Sequence, residues 1–252
     1  MKQITFDHIY TLGHVVYENN QYRHFHYPEM LIRYDSNFLD FKKFPSLLEL
    51  KEAENYLRLF HLKYGQKHVK FYFPANEKPT VEILDYLHHS GYETGYLELY
   101  SIEPAQFPIV EYNPDIEVDY VTEKNFETFL KLQYEQDLQF GSEFADEKVK
   151  LHKRNFRDEM VIQIMAFYKG IPAGSVDVMI AGETAEIDNL NVNESFQRKG
   201  IGSRLQQFVT EEFSDKTIIL VADGEDTPKE MYRRQNYQYL GFKYETQKIY
   251  KD

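Results

Sequence analysis

The sequence predicts an α/β protein built on a mixed sheet, of the α+β type, with two related halves in tandem. Three observations carry that reading. From residue 116 onward, strand and helix signals follow the order β-α-α-β-β-β-loop-α-β-α-β. Hairpin-linked strands that lead into strand–helix–strand crossovers need both antiparallel and parallel neighbours. Before that stretch, Pro104, Pro108 and Pro114 fall in a segment without periodicity. Proline removes backbone donors and restricts its predecessor, so 104–115 reads as an extended linker between domains at 1–103 and 116–252. Before the linker, a strand–helix–strand unit at 69–100 repeats the grammar of 217–250.

Each element has a local reason. In the first half, Val69-Lys70-Phe71-Tyr72-Phe73 is a strand, and Thr80 to Ser90 is a helix with Val81, Leu84 and Leu87 on one face. Gly91 closes it and a strand follows from Glu93 to Tyr100. In the second half, Ile116 to Val121 alternates apolar and polar residues as a half-buried strand does. Thr122 is the expected N-cap of a helix reaching about Gln139, with Phe126, Phe129, Leu130 and Leu132 near helical spacing. A second helix is expected over Glu143 to Arg157. Val161 to Tyr168 and Ile171 to Ile180 are strands around a Lys169-Gly170 turn, and Ala185 to Val192 follows the turn at Ala181-Gly182-Glu183. A glycine loop then feeds a helix from about Ser203 to Phe213, and Thr217 to Ala222 is a β-branched strand. Asp226-Thr227-Pro228 reads as the cap of a helix from Thr227 to Gln235, and Tyr237 to Tyr250 is the last strand. Gly91 and Asn236 occupy matching positions in the two halves, and both residue types tolerate the left-handed conformation that ends a helix.

Composition excludes several functions. The chain of 252 residues contains Cys 0, so no disulfide, thiolate nucleophile or thiolate metal ligand exists. A formal net charge of -12 disfavours nucleic acid as a partner and weakly favours a cationic substrate such as an amine. No apolar stretch approaches the roughly 20 residues of a membrane span. The segment Met1-Lys2-Gln3-Ile4-Thr5-Phe6 lacks the apolar region of a secretion signal, so no membrane partner and a cytoplasmic location are expected.

The chemistry concentrates after the strand Glu186-Ile187-Asp188-Asn189-Leu190-Asn191-Val192. Gln197-Arg198-Lys199-Gly200-Ile201-Gly202-Ser203 stands immediately before a helix. A glycine turn at a helix start collects several unpaired N–H groups pointing one way, and Gly200 and Gly202 let a ligand approach the main chain. Arg198 and Lys199 add positive charge, so the loop is an anion site suited to a diphosphate. It is not a P-loop, because one residue separates the glycines. It is not a dinucleotide fingerprint, because Leu205 stands where the third glycine belongs.

The pattern Gln197-x-x-Gly200-x-Gly202 at a strand-to-helix junction resembles the hallmark of the GCN5-related N-acetyltransferase (GNAT) superfamily. The resemblance covers 116–252 well and 1–100 as a degenerate relative; the first half has no such loop, and Tyr64-Gly65-Gln66, the nearest thing there, is not one. It implies acetyl-CoA as co-substrate and no metal. It implies that amides from Arg198 to Ser203 bind the pyrophosphate, that the main chain of Leu190 and Val192 pairs with the pantetheine arm, and that the Leu190 or Asn191 amide faces the oxyanion. Met231-Tyr232-Arg233-Arg234-Gln235-Asn236-Tyr237 resembles the end of the family's last helix, which makes Tyr232 the expected acid for the departing thiolate. The equivalent position in the first half is Leu87.

Acetyl transfer to an amine also needs a base. Glu186 and Asp188 are the candidates, two apart and on one strand face, while Ile187 and Leu190 break strict alternation, which a bulge or a splay would explain. The expected activity is therefore direct transfer of an acetyl group to a primary amine on a small molecule or peptide. A catalytically silent acyl-CoA-binding protein of the same fold is the alternative, and a transferase using a tRNA-borne donor is disfavoured by charge. His24-x-His26 lacks an obvious third metal ligand, and His88 and His89 are adjacent on a helix and do not share a face. For the first half, the sequence leaves open a lid over the substrate or a homodimer interface.

Overall fold

The computed structural model describes residues 3–225 and 229–251. The first half holds β1 (His14–Glu18), β2 (Tyr22–His26), β3 (Phe38–Phe41), α1 (Leu47–Lys63), β4 (His68–Ala75), α2 (Val81–His89) and β5 (Glu93–Ile102). The second holds β6 (Ile116–Tyr120), α3 (Phe126–Asp137), α4 (Ser142–Asn155), β7 (Val161–Tyr168), β8 (Ile171–Ala181), β9 (Thr184–Val192), α5 (Ile201–Glu212), β10 (Thr217–Asp223), α6 (Lys229–Arg234) and β11 (Gln238–Ile249). The predicted mixed α/β architecture is present, and its strands form one sheet in the order β1-β2-β3-β4-β11-β5-β10-β9-β8-β7-β6.

That order contains a reciprocal exchange. β5, the last strand of the first half, pairs with β10 of the second, and β11, the last strand of the second half, pairs with β4 of the first. The two exchanged strands also pair with each other, from Gln238↔Ser101 to Gln247↔Glu93. A pseudo-twofold axis therefore passes between β5 and β11, relating β3-β4 to β9-β10, both parallel pairs. The exchange carries side chains across. Tyr100 and Ile102 of β5 lie in the second half's apolar core with Ile187, Leu205 and Leu220. Tyr244 of β11 packs on the first half's core of Leu39, Leu57, Phe71 and Leu87.

The internal echo extends to single hydrogen bonds. After α2, Gly91 has φ 77° and Tyr92 N donates to Leu87 O at 2.9 Å; after α6, Asn236 has φ 66° and Tyr237 N donates to Tyr232 O at 3.0 Å. Leu87 and Tyr232 thus occupy equivalent positions.

Two expectations differ from the structure. Helix α3 starts at Phe126, not behind a Thr122 cap. Asn125 Oδ1 accepts from Thr122 N at 2.6 Å and Asn125 Nδ2 donates to Tyr120 O at 3.0 Å, which holds 122–125 as a turn. On α2 the buried pair is Ile83 and Leu87, four apart, while Val81 and Leu84 are exposed. Tyr64-Gly65-Gln66, as expected, is no glycine loop: it ends α1, with Gln66 N donating to His61 O. The proposed cap at Asp226-Thr227-Pro228 lies outside the described residues. No helix among the described residues is long and apolar enough to cross a membrane.

Neither half owns a full set of paired strands. Without its partner, fragment 1–103 leaves β4 with an open edge and 116–252 leaves β10 with one. Each fragment expressed alone is expected to aggregate or lack a cooperative melt, and co-expression is expected to restore one transition, as read by circular dichroism. A cooperative melt for either fragment alone would contradict the exchange.

Candidate functional site

The glycine loop follows a short turn at Glu194–Phe196 in which Asn193 Oδ1 accepts from Ser195 N at 3.1 Å. Arg198 and Gly200 both have positive φ, 60° and 89°, and this double reversal delivers the chain into α5. Gly200 is the N-cap of α5 and brings no side chain to it. The first helical bond is Arg204 N to Gly200 O at 2.9 Å, so the amides of Ile201, Gly202 and Ser203 have no partner within the helix. Arg198 and Lys199 are exposed and close no ion pair among the described residues. A cavity of about 440 Å³ adjoins Lys199, Gly200, Ser203 and Arg204 and is walled by the linker at Tyr112 and Pro114. The corresponding helix entrance in the first half is closed. There Ser46 accepts from Glu49 N, and the Glu49 carboxylate accepts from Ser46 N at 2.7 Å, a capping box that satisfies the donors internally.

Immediately upstream the sheet opens. β9 pairs with β10 only from Thr184↔Thr217 to Ile187↔Leu220, yet it continues to pair with β8 as far as Val192↔Gly174. From Asp188 to Val192 the β10-facing edge of β9 is therefore unpaired by β10. A bulge sits at the same place. Asn189 has φ 51°, and three residues of β9 (188 to 191) span the distance of two on β8 (177 to 175). Gly174 accommodates it: a Cβ there would lie 2.7 Å from Asn191 O. The alternation break at Leu190 is this bulge.

The other side of the site is a groove of about 540 Å³ on one face of the sheet, running between the halves. Glu186 and Asp188 line it on β9, Asp177 and Met179 on β8, Lys148 and Asn155 on α4, and the N-terminal segment Phe6 to Leu12 covers it. Glu186 is 7% exposed and its Oε2 accepts from Tyr10 N at 2.6 Å. Burial pushes its carboxyl up to about 8; the Tyr10 amide opposes that and the Asp188 charge adds to it. Asp188 is the cross-strand partner of Asp177, which is fully enclosed and raised chiefly by burial. Burial, helped by Arg33, holds the Lys148 ammonium below its ordinary value.

Tyr232 is 9% exposed in the second half's core, which Leu190 and Val192 border. Its ring lies 5.3 Å from Tyr100 of β5 and 5.6 Å from Tyr237. The structure thus gathers Leu190, Asn191 and Val192 at the opening and Gln197 through Ser203 at its end. Glu186 and Asp188 sit in the groove on the same strand, and Tyr232 in the adjoining core.

Tyr10, Arg33, Lys148 and Asp177 went unread in the sequence. Lys148 and His152 stand four apart on the α4 face that also buries Leu151, a polar interruption that marks a site. Tyr10 carried no signal, since it meets Glu186 across 176 residues of chain. His24 and His26 are both buried and His61 and His68 lie near, but no group of three or more metal-ligating side chains among the described residues is arranged to hold an ion.

Comparison with known proteins places this geometry. Residues 126–242 match the model of the acetyltransferase (GNAT) family, and residues 4–100 match that of a domain of unknown function, DUF5613. A functionally unknown conserved protein from Staphylococcus epidermidis is 32% identical with a TM-score of 0.91, and 99% of each chain is covered. GCN5-related N-acetyltransferases from Kribbella flavida and Sphaerobacter thermophilus share the fold, each at 14% identity, with TM-scores of 0.58 and 0.61. These alignments cover 84% of this chain, and 80% and 72% of the respective neighbours. A search of curated proteins finds no match. The fold and glycine loop define a GNAT-type protein with an acyl-transfer architecture. The chain belongs to the GCN5-related N-acetyltransferase superfamily, in tandem form with a degenerate first half.

Two stability measurements test this description. The Glu186 carboxyl is raised in the folded state, so folding favours its protonated form. The resulting penalty is absent near pH 4 and grows as pH rises from the unfolded value of about 4.5 through about 8. Glu186→Gln is expected to melt with the wild type near pH 5 and above it at pH 9, by a few kcal/mol or less. At Gly200, the left-handed φ of 89° predicts that Gly200→Val lowers stability by about 1–2 kcal/mol in denaturant titration.

Proposed function

We propose that this protein is an N-acetyltransferase that moves an acetyl group from acetyl-CoA to a primary amine by direct attack. The observation that carries the reading is the continuity of two features. The unpaired edge of β9 from Asp188 to Val192 runs straight into the uncapped entrance of α5 at Gly200. An extended amide-bearing arm ending in a diphosphate has that shape and that donor pattern, so the residues present suit CoA.

In this reading, the amides of Arg198 to Ser203 hold the pyrophosphate, with Gln197 bracing the turn through Nε2 to Val192 O at 3.4 Å. The main chain of Leu190 and Val192 pairs with the pantetheine arm and fixes the thioester beside the bulge. CoA supplies an activated acyl group and a good leaving thiolate. Glu186, raised toward neutrality, takes the proton from the incoming ammonium, directly or through water, with Asp188 beside it. The amine lone pair forms the new C–N bond at the thioester carbonyl carbon, and the Leu190 or Asn191 amide at the bulge faces the developing oxyanion. As the C–S bond breaks, Tyr232 donates its phenolic proton to the departing sulfur, and the remaining extra proton on the acylated nitrogen passes through water to the phenolate, which leaves a neutral amide and free CoA thiol. No thiol nucleophile is available, consistent with a single direct transfer.

Calorimetry with CoA and a thiol-release assay on an amine panel test the proposal. Submillimolar CoA binding and release dependent on an added amine are expected. Tyr232→Phe should lower kcat by roughly 10²-fold or more while leaving CoA affinity intact. Turnover should rise with pH toward a plateau above about 8, because Glu186 acts deprotonated, and this limb should vanish in Glu186→Gln. CoA binding without turnover on a broad panel would identify a silent acyl-CoA binder instead.

A further inference from the structure

We propose that the acceptor is a small primary amine that also carries an anionic group, a carboxylate or a phosphate, with Arg33 and Lys148 holding the anion while Glu186 faces the amine. This rests on the acyl-transfer reading above and names its substrate class.

The groove looks acidic by count, but most of its charges already have partners. Arg23 donates to Asp7 and Asp40, and Lys243 pairs with Asp40 at 2.6 Å. Lys70 holds Asp35 at 2.5 Å and Glu245 at 2.9 Å. Removing these leaves two lining cations, Arg33 and Lys148, and three lining carboxyls, Glu186, Asp177 and Asp188. Neither cation closes an ion pair among the described residues. The Lys148 side chain is 6% exposed, and it makes no hydrogen bond among them either. Burying an ammonium without a contact partner is costly, and Asp137, Asp177 and Asp188 attract it only from a distance. The neighbouring Arg33 adds repulsion. Two like charges facing one cavity are relieved by an anion placed between them.

Arg33 is held ready for that role. It follows a short turn at Pro28–Met30, its amide donates to Met30 O at 3.1 Å, and its carbonyl accepts from Asn37 Nδ2 at 2.9 Å. Its Nε donates to Ser36 Oγ at 3.0 Å, which leaves the terminal nitrogens for a planar, bidentate anion. Arg33 comes from the first half and Lys148 from the second, so the anion pocket exists only in the joined molecule. Glu186 already gives Oε2 to Tyr10, and its other oxygen remains for the ammonium proton. The groove's charge pattern is thus that of a molecule with both signs, rather than a polycation.

The test uses the whole protein and matched acceptor pairs in the thiol-release assay. One arm compares an α-amino acid with its decarboxylated amine, and the other compares an aminoalkyl phosphate with its amino alcohol. In at least one arm the anionic member should have the higher kcat/KM, by roughly tenfold to a hundredfold, and the arm that responds names carboxylate or phosphate. In Arg33→Met and Arg33→Gln that ratio should collapse toward one, chiefly through KM, and Lys148→Met should reduce it. Calorimetric titration of the same pairs reads the selectivity without turnover. Equal or reversed preference within both arms, or a ratio unmoved by both Arg33 variants, overturns the proposal. Selective binding of the anionic member with no turnover would sink the acyl-transfer reading and leave the anion pocket standing.

Discussion

The reciprocal insertion of β5 and β11 is the constraint on which the rest of the molecule depends. Each half completes its sheet with a strand of the other, so Tyr100 and Ile102 belong by packing to the second half and Tyr244 to the first. The groove between the halves has its width set by the β5–β11 ladder, which is hydrogen-bonded over most of both strands. Residues from 6 to 245 line one cavity because the sheet crosses from one half to the other without a break. A flexible pair of domains would not hold the Tyr10 amide 2.6 Å from a carboxylate far along the chain.

Within that symmetric frame, the two helix entrances differ in how their free donors are satisfied. At α1 the Ser46–Glu49 capping box fills them with the chain's own oxygens, and a side chain at that position would compete with any phosphate. At α5 the cap is a glycine in the left-handed region, the donors stay open and two exposed cations flank them. A few residues therefore separate a helix start with open donors from one that satisfies its own. The same divergence recurs at the last helix of each half, where Leu87 packs in a closed core and Tyr232 brings a phenol to the equivalent place.

The sequence made the second half legible because its signals are local. Alternation marked its strands, glycine marked its turns, and Gln197 to Gly202 marked the loop. The break at Leu190 announced a bulge that Asn189 and Gly174 realise. Residues 14–41 carry weaker signals, because β1 is exposed along its length and the short strands β2 and β3 bury polar residues such as His24, His26 and Asp40, which blur apolar periodicity. Helix α3 starts three residues later than a Thr122 cap predicts, because Thr122 is a good cap by type while Asn125 wins the hydrogen bonds in the fold. The strand exchange had no local signature at all. Both β5 and β11 read as ordinary strands, and which neighbour each takes is a long-range choice.

The first half has a self-capped helix entrance yet still shapes the groove. It supplies Tyr10 to Glu186, Tyr100 to the ring stack around Tyr232, and Arg33 to the groove. At Glu186 the contribution acts on charge: burial in the groove that the Tyr10 segment helps to line pushes its carboxyl up to about 8, while the Tyr10 amide itself opposes the rise. A second half standing alone would expose Glu186 to solvent and drop its carboxyl toward the ordinary range. In the proposed reaction, the degenerate half therefore tunes the dielectric around groups that sit on the other half. That division of labour gives a physical reason for a glycine loop to be dispensable in one copy of the fold while the strand exchange is not.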